Sequence, residues 1–306
     1  MLSVCIPVYN SDVSVLVNSL VRQLNELEYQ IEICLIDDAS THPVCDVLDF
    51  NHPKIIGIKN TVNAGRARVR NQFKEIATYP YLLFLDGDSR LIRTNFLKCY
   101  CDILSNSNVE VLCGASVYQA QKPSRSHYLR WKYSTSRESK SLVEREQKPN
   151  LGFKTNNFII QREIFNKVYF NESLKGYGHE DTLFGYDLKK ATIKIEHVDN
   201  PVLNHQLDDN ITFLQKSKEG VTNLLNVLEI LDYDREFLKS SQLARTYISI
   251  KNRKLGWLIS LGISFIHPLN LFLLKRGFFV LPMFDLYKLK CILSAGGYKK
   301  ALSKTE

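Results

Sequence analysis

The sequence predicts an α/β fold: a mostly parallel β-sheet flanked by helices, followed by a C-terminal helical extension. Three observations predict it. Short apolar runs alternate with helix-like stretches through the first half of the chain. Acidic and amide residues gather where those runs end, the edge at which open α/β sheets bind ligands. Beyond residue 250 the pattern changes to long apolar segments interrupted by Lys and Arg.

The elements follow in order. "LSVCIPVY" is a first strand, ended by Asn10-Ser11-Asp12, which can cap a helix over Val13 to Leu27. "IEICLIDD" and "KIIGIKN" are the second and third runs, Arg66 to Ile76 is a helix, "YLLFLD" is the fourth run, and Thr94 to Leu104 is helical again. Runs joined by helical connections form a parallel sheet covered on both faces. Residues 124–149 are polar and basic with interleaved aromatics, and read either as a solvated helix-loop or as a mobile, acceptor-contacting lid. Apolar structure resumes at "FKTNNFIIQREIF", "IKIEHVD" is a further strand, and from Asn210 the chain reads as helix to about Ile250.

At 306 residues the chain accommodates one large domain with an appendage, here residues 1–210 and 211–306. Hydrophobic content of 44% and charged content of 24% are those of a soluble globular protein. The seven cysteines are scattered, mostly inside apolar runs, and read as reduced core residues of a cytosolic chain. Cys99 and Cys101 do not have a zinc spacing. "MLSVCIPVYN" begins a strand at once and has neither the basic nor the long apolar region of a secretory signal.

Charge is uneven. Residues 251–306 carry ten Lys or Arg against Asp285 and Glu306, the whole of the net +8, while residues 1–250 balance. The same region holds "LGWLISLGISFIHPLNLFLLKRGFFVLPMF". Its first apolar patch approaches the length of a membrane span, but His267, Pro268 and Asn270 lie inside it. A segment lying in the interface of an anionic membrane fits better; the alternative is a packed helical subdomain.

Chemistry concentrates in a few places. "YLLFLDGDSRLI" drives an apolar run into two carboxylates, Asp86 and Asp88, separated by Gly87. Such a pair is either a turn at solvent or a hard-oxygen site for Mg²⁺ or Mn²⁺ shared with substrate phosphates. Asp37 and Asp38 stand at a strand-to-helix mouth, where a carboxylate either accepts from a base or ribose or caps a helix. "NAGRARVRN" places Arg66 and Arg70 on one helix face, with a diphosphate as one target of such guanidinium groups and a solvated face as the other reading. His179-Glu180-Asp181 follows Gly176 and Gly178, and adjacent acids can divide anchoring from general-base work. His205 is a candidate third metal ligand or a structural histidine.

Taken in order, "IPVYN", "LIDDAS", "NAGRARVRN", "FLDGD", "TNNFII" and "GYGHED" resemble the family 2 glycosyltransferases, inverting, nucleotide-sugar-dependent enzymes with the GT-A fold, over about residues 1–210. The resemblance implies a Rossmann-like, mixed but mostly parallel sheet. It implies that Pro7, Val8, Tyr9, Asn10 and Asp38 line the nucleotide-base pocket, with Asp37 in support and Asn63, Gly65 and Gly87 beside the nucleotide sugar. Arg70 would reach the base or diphosphate, Asp86 the ribose or metal, and Asp88 the metal, with His205 completing its site. Asn156 and Asn157, with His179, would form the floor beneath donor and acceptor. Asp181 would be the base and Glu180 its acceptor-binding neighbour. Three positions depart from the family: Ala39 stands where Gly is frequent, Val69 where Ala is common, and Gln206 follows His205.

These expectations describe a metal-assisted transfer, with Mg²⁺ or Mn²⁺, from a UDP-sugar to a glycan or lipid-linked acceptor. They imply polysaccharide synthesis at the inner face of the cell membrane and no nucleic-acid partner. Two other readings compete: a phosphatase with Asp86 as nucleophile, and a membrane-recruited nucleotide- or glycan-binding module without catalysis.

Overall fold

The computed structural model describes residues 1–42, 52–253 and 256–296; Cys45, Lys254, Lys299, Lys300, Lys304 and Glu306 lie outside them. Along the chain come β1 (Leu2–Val8), α1 (Ser14–Asn25), β2 (Ile31–Asp37), β3 (Ile55–Lys59), α2 (Arg66–Ile76), β4 (Tyr81–Leu85), β5 (Ser89–Leu91) and α3 (Phe96–Asn106). Then follow β6 (Val111–Cys113), β7 (Ser116–Tyr118), α4 (Tyr128–Tyr133), a π-helical turn (Ser134–Glu138), α5 (Leu142–Gln147), α6 (Pro149–Gly152), β8 (Asn157–Gln161) and α7 (Arg162–Lys167). The last are α8 (Glu180–Lys190), β9 (Ile195–His197), β10 (Val202–Asn204), α9 (Asn210–Ile230), α10 (Arg235–Ser240), α11 (Gln242–Lys251), α12 (Gly256–Lys275) and α13 (Val280–Gly296).

Two compact units result, one of residues 1–119, 139–175 and 180–206, the other of 120–138, 176–179 and 207–306. The first holds a seven-stranded sheet in the order β3-β2-β1-β4-β8-β6-β9 and a three-stranded sheet β5-β10-β7. Strands β1 to β4 are mutually parallel, and β8 runs antiparallel to β4 and β6. The apolar runs form strands because both sheet faces are covered; every residue of β2 is buried. Leu16 and Leu20 of α1 and Phe96 and Tyr100 of α3 pack one face. Phe73 of α2, Phe165 of α7 and Phe184 of α8 pack the other. There Phe84 of β4 stacks on Phe158 of β8 at 4.9 Å, and Phe170 stacks on Phe184 at 4.2 Å. These rings tie the strand ahead of Asp86 to the helix that begins at Glu180.

The helix expected over Arg66 to Ile76 forms over those residues. The long helix expected from Asn210 is instead three, broken where Asp232 and Tyr233 take φ of 46° and 55°. Strands β5, β6, β7 and β10 are three residues each, too short to show an alternation in sequence. All six described cysteines are free, and burial pushes the thiols of Cys101 and Cys113 up to about 11 and about 12.

The basic stretch 124–149 forms short helices and turns whose side chains are mostly exposed or half-exposed, as the solvated helix-loop reading expects, with Leu129, Arg130, Ser134 and Arg145 buried. In the second unit Leu129 joins Phe213, Phe284 and Tyr287 in a core, and Arg130 pairs with Glu138 at 2.9 Å. That packing is why 120–138 clusters with the C-terminal helices rather than with the sheet. In the first unit the buried Arg145 donates to the carbonyls of Cys113 at 3.2 Å and Val198 at 3.0 Å, and lies 2.9 Å from His197 Nδ1.

A guanidinium has no acceptor, so His197 Nδ1 accepts from Arg145 and its Nε2–H donates to the Pro149 carbonyl at 3.0 Å. Burial, joined by the Arg145 charge, holds the His197 pKa below the ordinary 6.5. The folded chain then binds fewer protons there than the unfolded chain, so this stability is complete above pH 6.5 and is lost as pH falls below it. The urea midpoint of the wild type is expected to fall between pH 7 and about pH 5.5, and His197→Gln to flatten that part of the profile.

Candidate active site

The carboxyl ends of β1, β2 and β4 gather the polar residues. At the end of β1, Asn10 turns with φ of 48°; its N–H donates to Ser40 Oγ at 2.9 Å and its Oδ1 accepts from the Thr41 N–H at 2.8 Å. Tyr9 is exposed, Pro7 is half-buried, and Val8 points into the core. Of this run, Tyr9 is the exposed ring.

At the end of β2, Asp37 Oδ1 accepts from the Ser40 N–H at 2.8 Å. Ala39, between them, takes φ of 61°, in the left-handed region that favours glycine. Asp38 Oδ1 accepts from Asn60 Nδ2 at 2.9 Å and the Ala64 N–H at 2.7 Å, and Oδ2 accepts from the Gly65 N–H at 2.9 Å. Asn63 Nδ2 donates to the Asp38 carbonyl at 3.2 Å. Asp38 therefore clamps the loop entering α2, a structural task beyond the base-pocket role expected for it. Gly65 has φ of 87° and open space around it, so backbone conformation rather than crowding asks for glycine. Gly87 is the reverse: a Cβ there would lie 2.9 Å from Val13 Cγ1.

Helix α2 supplies the central cation. Arg70 is 2% exposed, and its Nη2 donates to Asp86 Oδ1 at 2.7 Å. Its Nη1 lies 4.0 Å from Glu180 Oε1, while Arg66 Nη1 lies 3.6 Å from the same oxygen. Arg68 points elsewhere, to Glu172 at 4.0 Å, as i, i+4 spacing requires. Buried this deeply and engaged by two acids, Arg70 acts as a bridge where the sequence suggests a ligand for base or diphosphate. One guanidinium thus joins the turn after β4 to the start of α8.

Glu180 and Asp181 open α8, where acids meet the positive end of the helix dipole. Asp181 Oδ1 accepts from the Thr182 N–H at 2.7 Å and Oγ1 at 3.1 Å, and Oδ2 accepts from Lys154 Nζ at 3.0 Å. Lys154 was not anticipated as a site residue. The available signal was its place in "FKTNN", two residues before Asn156.

The two asparagines part company. Asn157 is 1% exposed; its Oδ1 accepts from Tyr100 Oη at 2.6 Å and its Nδ2 donates to the carbonyls of Ala115 and Asn200, both at 2.8 Å. Its bonding capacity is spent on packing, so it is not the substrate floor the sequence suggests. Asn156 Oδ1 is buried with no hydrogen-bond partner, which suits a polar group that meets a ligand. His179 takes φ of 67° in the loop 176–179 of the second unit.

In the three-stranded sheet the pairing of β10 with β5 ends at Asn204 and Ser89, the residues next to His205 and Asp88 in sequence. His205 Nδ1 lies 3.3 Å from Gln119 Nε2. Among the described residues no three His, Cys, Asp or Glu side chains converge as a metal-binding group, so the expected set of Asp86, Asp88 and His205 is not assembled; Asp86 is drawn to Arg70 instead. A carboxylate pair without a full cage still suits an ion that takes most of its ligands from substrate phosphates and water.

The profile described as glycosyl transferase family 2 matches residues 3–169, more than half of the 306. No curated protein matches the chain by sequence. Among solved structures, S. aureus TarS 1-349 is 17% identical, covers 98% of this chain and 93% of that chain, and superposes with a TM-score of 0.52. The mannosyltransferase PcManGT from Pyrobaculum calidifontis, in complex with GDP-Man and Mn²⁺, is 13% identical over 98% of this chain and 88% of that chain, TM-score 0.55. GalNAc-T7 with UDP, GalNAc and Mn²⁺ is 16% identical over 80% of this chain and 51% of that chain, TM-score 0.55. At these identities the likeness is one of fold.

Replacing Arg70 by Met takes from Asp86 its bonded cation and from the buried Glu180 one of its two, and breaking a buried ion pair costs about 3–5 kcal/mol. Urea unfolding of Arg70→Met is expected to show that loss, with Arg70→Lys recovering part of it.

Proposed function

The chain belongs to glycosyl transferase family 2 and is a glycosyltransferase of GT-A fold, and we propose that it transfers a sugar, with inversion, from a nucleotide-diphospho-sugar to a hydroxyl of a glycan or lipid-linked acceptor. The observation that carries this reading is the Arg70 bridge. By joining Asp86 to Glu180 it puts the acidic turn after β4 and the acid pair of α8 in one site. The donor class draws support from TarS, solved with UDP and with UDP-GlcNAc, and from PcManGT with GDP-Man. UDP is our reading for this chain.

Tyr9, Asn10, Asp37 and Asp38, at the ends of β1 and β2, would meet the nucleoside, with Asn63, Gly65 and Gly87 beside it. Asp181 Oδ2 takes the proton of the acceptor hydroxyl. The acceptor's hydroxyl oxygen forms its bond to the anomeric carbon on the face opposite the diphosphate, whose bond to carbon breaks with the electron pair leaving on phosphate oxygen. Lys154 holds Oδ2 at 3.0 Å and must yield it to the incoming hydroxyl; Thr182 fixes Oδ1 meanwhile. Arg66, on the exposed first turn of α2, would exchange Glu180 for a phosphate of the donor. Asp88 and Asp86 would hold a divalent cation that takes its other ligands from the donor's phosphates and water, and the ion would stabilise charge on the departing diphosphate.

We read residues 1–210 as the catalytic domain and 211–306 as a helical region. Residues 251–306 would contact an anionic membrane from the cytoplasmic side, consistent with the synthesis of a surface polysaccharide.

Asp181→Asn keeps the size and the Thr182 contacts but loses the base, a group that contributes about 10²–10⁴-fold. Turnover is expected to fall by that factor while UDP-sugar binding, read by calorimetry, is retained; near-normal turnover would remove the base assignment. Screening UDP-, GDP- and dTDP-sugars for nucleotide release identifies the donor. A chelator is expected to suppress release and Mn²⁺ or Mg²⁺ to restore it.

A further inference from the structure

Helix α12 is the least covered apolar element of the described chain. Its 20 residues extend about 30 Å. Only one line of it is buried, Gly256, Ile263, Asn270 and Leu274; the helix packs chiefly on α13, and also on α9 and α11. On the opposite side Trp257, Leu261, Phe265 and Leu269 repeat at every fourth position as an exposed ridge, with Phe265 88% exposed. The ridge continues through Phe272 and, past the helix, Phe279 at 72%.

Charge surrounds this ridge without entering it. No Asp, Glu, Lys or Arg occurs between Gly256 and Leu274, and no carboxylate at all occurs between Glu236 and Asp285. Lys251 and Arg253 precede the helix, and Lys275 and Arg276 close it. At the closing end the cations are braced on exposed rings: Arg276 lies 4.2 Å over Phe272, and Arg125 lies 4.3 Å over Phe278.

We propose that α12 lies in the plane of an anionic lipid bilayer. Its Trp257–Leu261–Phe265–Leu269 ridge enters the acyl boundary, and Arg125, Lys275 and Arg276 hold lipid phosphates at one end. This rests on the membrane reading given above and adds the inserting helix, its face and its orientation. Crossing the bilayer is excluded by packing: α12 packs on α13, whose Asp285 is held by both Nη atoms of Arg137 at 2.6 Å, and a spanning helix would draw that ion pair toward hydrocarbon. A second copy of the chain fits poorly. Pairing two such ridges sets cations against cations, and the stretch offers no carboxylate to answer them. An apolar ridge flanked by basic residues is complementary to an anionic interface.

The test uses the full chain and sedimentation with vesicles of phosphatidylcholine, alone or mixed with phosphatidylglycerol. Binding to the mixed vesicles only, and release by alkaline carbonate, are expected. Phe265→Glu, at a site too exposed to perturb folding, is expected to abolish binding while leaving the thermal melt and nucleotide release in solution unchanged. Arg276→Glu is expected to weaken binding at least about fivefold, the equivalent of one surface charge. Wild-type protein that ignores anionic vesicles defeats the membrane reading itself. Wild-type binding that survives Phe265→Glu, or that resists carbonate, leaves that reading standing and overturns the in-plane helix. A lipid-free dimer dispersed by Phe265→Glu, with no vesicle binding, overturns both in favour of self-association.

Discussion

A single buried guanidinium organises the catalytic unit. Arg70 is carried on α2, reaches Asp86 at 2.7 Å, and lies 4.0 Å from Glu180. It thereby connects three segments far apart in sequence: the helix after β3, the turn after β4 and the start of α8. A cation at 2% exposure is tolerable only with acids to answer it. The acids in turn are held by the aromatic packing beneath, where Phe84 lies two residues before Asp86 and Phe184 three residues after Asp181. Ion pair and hydrophobic core thus enforce the same separation, one at the surface of the sheet edge and the other below it.

Much of this was legible in the sequence, for identifiable reasons. The strands buried on both faces advertise themselves as unbroken apolar runs, and α2 shows itself by arginines at helical spacing. The polar strand ends forecast the site edge. What stayed hidden was pairing. Nothing in "NAGRARVRN" says that Arg70 turns inward to Asp86 while Arg68 turns out to Glu172; that depends on which helix face the sheet covers. Asn157 looked like a substrate contact beside Asn156, yet as the first residue of β8 its side chain is taken by Tyr100 and two carbonyls. Lys154 was invisible because its partner is 27 residues away. The stretch 124–149 hid its anchors in the same way: its sequence does not single out Arg130, in the second unit, or Arg145, in the first, as the buried arginines.

The departure at position 39 shows how a substitution in a motif can be absorbed. Alanine there occupies a left-handed conformation, φ of 61°, at a cost glycine would avoid. The turn persists because it is overdetermined: Asp37 accepts from the Ser40 N–H, and Ser40 Oγ accepts from the Asn10 N–H. The ends of β1 and β2 are therefore cross-linked at the edge where a nucleoside would lie, and strain at one residue is offset by bonds on either side.

Electrostatics sets a further requirement. Asp86, Asp88, Glu180 and Asp181 left uncompensated would repel any diphosphate. Arg70 meets Asp86 and Glu180, Arg66 meets Glu180, and Lys154 meets Asp181. These pairs are of two kinds. The Arg70 pair is buried and fixed, which suits a structural bridge. The Arg66 and Lys154 side chains are about half exposed, at 47% and 49%, where ion pairs contribute at most about 1 kcal/mol and exchange readily. Such cations can hold the acids while the site waits, then turn to a phosphate or release an oxygen to a hydroxyl. On the proposed reading an anionic donor would enter among these carboxylates because the pairs nearest solvent are the weak ones.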